Sequence, residues 1–236
     1  MRDYLTFPLL NLAYRLLAEG RREEALVELD KLLEHHPNHL VARWQNIQLL
    51  IALNRPEAAI EQLDILQAQV PTFSRGYLTL GHLHMNSGEY TQAFNDFKLA
   101  IETGKLLPSD RNDALAGGAE AAIKIGKTQE ALNALDALYE LGVATPRQRL
   151  IRADLLRNFN QFEEARKEWE ALAQLDSVPE TQRTAILNEA FLLIEQGEDE
   201  EAYQSLRRAE KNGLFSGRQS TALEQRTFAR ALAASA

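Results

Sequence analysis

Six alanines recur along the chain at nearly fixed intervals: Ala25, Ala59, Ala93, Ala131, Ala165 and Ala202, separated by 34, 34, 38, 34 and 37 residues. Each sits in a similar setting, EEALVEL, EAAIEQL, TQAFNDF, QEALNAL, EEARKEW and EEAYQSL. Five residues upstream of each stands Gly20, Asn54, Gly88, Gly126, Asn160 or Gly197, residue types that tolerate a positive φ and so end helices. Four residues downstream comes a large apolar residue: Leu29, Leu63, Phe97, Leu135, Trp169 or Leu206. Three further on stands Leu32, Leu66, Ala100, Leu138, Leu172 or Ala209. This i, i+4, i+7 series forms one face of a helix. The period therefore predicts a helix, a tight turn and a helix, a unit that buries its apolar stripe only against its neighbours in a stack.

The third unit carries the clearest version of the pattern: Tyr77, Leu80 and Gly81 in its first helix, Gly88 and Tyr90 at the turn, and Ala93, Phe97 and Ala100 in its second. With Pro37 and Pro71 closing the first two units, these residues resemble the tetratricopeptide repeat (TPR) family over about residues 6 to 214. The resemblance implies an all-α fold, a right-handed TPR superhelix of about six helix-turn-helix repeats plus a C-terminal capping helix. On this reading residues 1–236 form one solenoid, with repeats at 6–39, 40–73, 74–107, 112–145, 146–179 and 183–216. The capping helix, 218–234, has apolar periodicity through Leu223, Phe228 and Leu232. Arg43 and Ile47 stand where the family has a large apolar and a small residue, which leaves open a shift of one in the register of that repeat. Extra residues near Lys105–Pro108 and Ser177–Pro179 lengthen two connections.

Local signals agree with these boundaries. Thr145-Pro-Arg-Gln148 and Ser177-Val-Pro-Glu180 read as capping boxes with proline in the first turn, and Asn54-Arg-Pro-Glu57 reads as the same device. Gly117 and Gly118 weaken a helix by roughly 1 kcal/mol each relative to alanine, which implies a close approach of the neighbouring helix backbone.

Several function classes are disfavoured. A formal charge of −8 and an isoelectric point near 5.3 oppose a phosphate-binding surface, so no nucleic-acid partner is expected. No apolar run reaches the roughly 18 to 20 residues of a membrane span. The chain has no cysteine, which excludes disulfides, thiolate metal sites and cysteine nucleophiles. Met1-Arg2-Asp3-Tyr4 does not read as a signal peptide, because an acidic residue stands in the basic region.

His82 and His84 lie two apart on a helix and point about 200° away from each other, so they share no metal or proton. His84 is expected between helices and His82 in the groove, while His35 and His36 suit the last turn before Pro37. Acidic groups at Glu23-Glu24, Glu163-Glu164 and Glu198 to Glu201 sit where second helices begin and complement the helix dipole. There is no GxSxG elbow, phosphate loop or dinucleotide fingerprint. No catalysis, metal or cofactor is expected. An enzyme would require a convergence such as Asp154 with His82.

The family resemblance turns the first helix of each repeat toward a concave groove. It places there Phe7, Leu10, Tyr14 and Leu17, then Val41, Trp44, Gln48 and Ile51, then Arg75, Leu78, His82, Met85 and Asn86. Further along come Asp113, Glu120 and Lys124, then Arg147, Asp154, Arg157 and Asn158, then Leu187, Phe191 and Ile194. An aromatic side chain exposed in such a concavity calls for a covering partner. The expected ligand groove is therefore Tyr14, Trp44, Gln48, Leu78, His82, Asn86, Arg147, Asp154 and Arg157. Trp44 and Tyr14 lead as anchors, and the ligand is a protein or peptide segment. The Lys, Asn and Arg positions with which some TPR domains clamp chaperone C-termini are not matched. The segment DYLTFPLLNLAYRLLAEGRREEALVELDKLLEHHP also resembles periplasmic TPR arms of outer-membrane proteins in exopolysaccharide export and phage reception. That likeness implies a periplasmic rather than cytoplasmic setting, with glycan machinery (a synthase, a glycan or a modifying enzyme) as the partner.

Overall fold

The structure, a computed structural model, describes residues 6–175 and 179–215 together with Ala229 and Ala233. Those residues form twelve α-helices and no strand. The helices are α1 (Thr6–Ala18), α2 (Arg22–His35), α3 (Leu40–Ala52), α4 (Pro56–Gln69), α5 (Ser74–Ser87) and α6 (Tyr90–Glu102). They continue with α7 (Pro108–Lys124), α8 (Thr128–Glu140), α9 (Pro146–Asn158), α10 (Phe162–Ala173), α11 (Pro179–Gln196) and α12 (Asp199–Lys211). The capping helix expected over 218–234 and the capping box expected at Ser177–Glu180 lie outside the described residues, apart from Pro179, Glu180, Ala229 and Ala233.

The short turns between odd and even helices share one physical solution. Gly20, Asn54, Gly88, Gly126, Asn160 and Gly197 all have positive φ, between 57° and 80°. The residue after each donates its N–H to a carbonyl five positions back, as in Arg21 to Leu16 (2.8 Å), Glu89 to His84 (2.8 Å) and Glu198 to Leu193 (2.8 Å). This Schellman arrangement satisfies carbonyls that the helix end leaves open. The even helices then start with little side-chain capping, and carboxylates in the first turn (Glu23 and Glu24 in α2, Glu163 and Glu164 in α10) compensate electrostatically.

The six periodic alanines are all fully buried, as are Leu63, Phe97, Trp169, Leu172 and Leu206. The second repeat keeps the expected register without a shift of one, because Ile47 is fully buried and Arg43 is only 4% exposed. Arg43 fits because its guanidinium donates to the Gln62 side chain and the Pro37 carbonyl. The Thr145 capping box forms as expected: Thr145 Oγ1 accepts from Gln148 N, and Gln148 Oε1 accepts from Thr145 N at 2.8 Å.

Two local expectations are corrected. Asn54 does not cap α4; the N-cap residue is Arg55, without a side-chain bond, and Asn54 instead supplies the left-handed turn. The small residues of α7 meet a ring rather than a backbone. A Cβ on Gly117 would fall 2.5 Å from Phe97 Cζ, and one on Gly81 of α5 would fall 2.7 Å from the same ring. Phe97 thus wedges between α5 and α7, and its burial is worth about 1.5–3 kcal/mol.

The helices group into two compact units, one ending at Lys127 and the other beginning at Thr128. In the first, each even helix packs on its own odd partner and on the next odd helix, and α5 also touches α7. In the second, α8 packs on α9, α10 on both α9 and α11, and α11 on α12. None of the described helices is long and apolar enough to cross a membrane.

Candidate partner-binding cleft

In the first unit an apolar cleft of about 480 Å³ opens where three odd helices begin. The start of α3 is fixed by His39, whose Nδ1 accepts a hydrogen bond from Ala42 N at 3.1 Å. That cap sets Leu40, Val41 and Trp44 on one helix face, and all three line the cleft. Leu66 and Val70, at the end of α4, form its floor with Phe73, the residue before α5. Phe73 stands edge-on to Trp44, with ring centroids 5.1 Å apart and planes at 84°, a favourable aromatic geometry. The remaining wall comes from the longer connection between α6 and α7, where Leu107 is extended (φ −63°, ψ 155°) ahead of Pro108 and lines the cleft beside Leu106.

Much of this lining faces solvent. Leu107 is 60% exposed, Val41 54% and Leu40 43%. One side carries charge: Arg75 donates to Asp110 at 2.9 Å, and Lys105 stands on the same rim. The cleft can therefore accept an apolar side chain between Trp44 and Leu107 while polar groups of the same ligand meet the rim.

Of the residues expected to form a groove, Trp44 lines this cleft. Val41 and Arg75, also expected on the concave face, line it as well. Gln48, Asn86 and Tyr14 are exposed but are not part of its lining. Leu78 is 7% exposed and packs with Ala93 and Phe97 in the interhelical core, because α5 is pressed between α6 and α7. His82 Nε2 is 2.9 Å from Asp113 Oδ2, and its ring stands edge-on to Phe97 with centroids 5.1 Å apart. His84 is the interhelical histidine, with Nδ1 2.6 Å from Asp96 Oδ2. Burial pushes the Asp96 carboxyl up, and the bond to His84 opposes that push.

Arg147, Asp154 and Arg157 belong to the second unit. Arg147 is exposed, and the Arg157 guanidinium lies 5.8 Å from the Phe191 ring centroid. Asp154 accepts from Asn188 Nδ2 at 2.6 Å, and its burial raises the carboxyl pKa. His82 and Asp154 are thus each engaged within their own unit. Leu40, Phe73, Leu106 and Leu107 were not anticipated as lining residues. The signal that could have found them was the inserted Leu106-Leu107 pair, an apolar doublet in a lengthened turn.

Comparison with known proteins gives a consistent picture. Two profiles of the tetratricopeptide repeat match the chain, at residues 16–77 and 74–103. DnaJ homolog subfamily C member 3 from Homo sapiens is 25% identical over 156 residues, covering 61% of this chain and 31% of that protein. The Mus musculus protein of the same name is 24% identical over 179 residues, covering 71% of this chain and 36% of its own length. The chain thus spans about a third of the length of the curated relatives it matches.

Among solved structures, YrrB, described as a TPR protein with an unusual peptide-binding site, superposes with a TM-score of 0.63 at 19% identity, over 88% of this chain and 97% of that one. MamA superposes with a TM-score of 0.60 at 15% identity, over 92% and 98%. PilF from Pseudomonas aeruginosa gives a TM-score of 0.55 at 20% identity, over 97% and 98%. At these identities the likeness is one of fold.

Proposed function

We propose, from the premise that this chain is a tetratricopeptide-repeat protein, that it is a non-catalytic scaffold and that the Trp44 cleft holds an apolar anchor of a partner polypeptide. The observation that carries this reading is the cleft's lining. Exposed Leu40, Val41 and Leu107 surround the Trp44–Phe73 pair at one solvent-facing concavity. Contiguous apolar surface of this kind marks interaction sites, and a pocketed tryptophan is the residue type that most often dominates binding energy. Arg75, Lys105 and Asp110 on the rim orient the polar backbone or side chains of the segment. The peptide-binding description of YrrB agrees with this use of the fold. The alternative, an arm of a cell-envelope polysaccharide-export system acting on glycan machinery, draws on no feature of this cleft.

The test is to pan a displayed peptide library against the wild-type chain and titrate the enriched peptides calorimetrically against Trp44→Ala. Enriched sequences should share a large apolar residue, and Trp44→Ala should weaken them roughly tenfold or more, the loss of about 1.4 kcal/mol or more that marks an anchor. Peptides that bind the variant as tightly as the wild type would move the site elsewhere.

A further inference from the structure

The second unit contains a larger cavity, about 900 Å³, between α10, α11 and α12. One wall is apolar, made by Ile186, Leu193, Ala209 and Leu214. Glu189, at the middle of α11, also lines it and is only 8% exposed. Among the described residues no donor hydrogen-bonds its carboxyl, and no cation forms an ion pair with it. Two cations, Arg166 and Arg208, line the same cavity without pairing with Glu189. Arg166 is divided among Glu170 (3.0 Å), Glu198 (3.1 Å) and Glu201 (2.7 Å). Arg208 acts on Glu189 only through its field.

A buried carboxylate without a partner is costly, and Glu189 responds by keeping its proton to higher pH than an exposed glutamate does. Burial first, and then the charge of Glu170 on α10 and of Glu201 on α12, push its pKa up to about 7, against the opposing pull of Arg166 and Arg208. The cavity therefore combines an apolar wall with an unmatched buried carboxyl. Those are the two requirements of a long basic side chain, whose alkyl stem packs on apolar surface while its head seeks an anion. A metal ion fits less well, since no group of three or more His, Asp or Glu converges to ligating distance among the described residues.

We propose that this cavity is a second binding site, which takes a lysine or arginine side chain of a bound polypeptide and pairs its charge with the Glu189 carboxylate. The polypeptide part rests on the scaffold reading above; the charge pairing does not. Binding releases the Glu189 proton, so affinity rises with pH.

The experiment uses the full chain with ¹³C-labelled glutamate, N-acetyl-argininamide as the probe and N-acetyl-glutaminamide as the neutral control. The Glu189 carboxyl resonance is assigned by its loss in Glu189→Gln. The probe should lower the Glu189 pKa by about one pH unit or more, and bind roughly tenfold or more tightly at pH 8 than at pH 5.5. The control should do neither. A Glu189 resonance indifferent to the probe at millimolar concentration would overturn the proposal. So would a carboxyl that titrates near the ordinary glutamate range in the free protein, because a cation of the chain itself then already fills the site. As the probe is a single residue, failure of peptide binding at the Trp44 cleft leaves this result unaffected.

Discussion

The ring of Phe97 stands where a side chain on Gly117 would have to go, with Cζ 2.5 Å from the position of a Cβ. Gly117→Ala gains about 1 kcal/mol of helix propensity but overpacks the wedge at a cost of about 1–3 kcal/mol, so the variant should be less stable by about 1 kcal/mol. Phe97→Leu in the same chain should remove most of that penalty. Urea midpoints of the four members of this cycle decide the matter, and a Gly117→Ala protein more stable than the wild type would show that α7 does not close on the ring.

Asn54 and Asn160 hold left-handed turns with φ of 57° and 60°. Asparagine tolerates this region through its short polar side chain, whereas an alanine there costs about 1–2 kcal/mol. Asn54→Ala and Asn160→Ala should each destabilise by about 1 kcal/mol, and the glycine variants should stay within about 0.5 kcal/mol of the wild type, since relief of strain offsets the lost chain entropy. Chemical denaturation measures both. Equal effects of alanine and glycine would argue against the left-handed turn.

Glu189 gives the stability of the second unit a pH dependence. Its folded pKa, about 7, is above the ordinary glutamate value of 4.5. The native state therefore binds the proton more tightly than the unfolded chain, and the associated stability is present below pH 4.5 and lost as pH rises through 7. Glu189→Gln removes the ionisation. The variant should match the wild type at pH 4 and exceed it at pH 8 by about 1–3 kcal/mol, since each tenfold gain in proton affinity on folding is worth roughly 1.4 kcal/mol and solvent access reduces that figure. Denaturation at the two pH values is the measurement, and a difference that does not change with pH would refute the raised pKa.

The turns and the buried stripe were legible in the sequence because each is set by a local steric demand. A residue that tolerates positive φ ends the odd helix, and a small residue five positions later lets two helices meet. The cleft was legible only in Val41, Trp44 and Arg75. Phe73 precedes its helix and so falls outside any helical period, and Leu106-Leu107 becomes a wall only after α6 and α7 are in place. Leu78 has the spacing of a groove residue, yet the packing of α5 against two neighbours encloses it. Glu189 gives no sign in the sequence of its surroundings, because Arg166, the cation one helix away, is held by Glu170, Glu198 and Glu201.

The chain has two tryptophans, and each compact unit contains one: Trp44, half-buried, in the first and Trp169, fully buried, in the second. Emission from the two indoles therefore differs in colour before any label is added. Replacing either by phenylalanine leaves an optical reporter for the other half of the molecule. Whether the halves melt together or in sequence can then be read from the coincidence of two intrinsic fluorescence transitions.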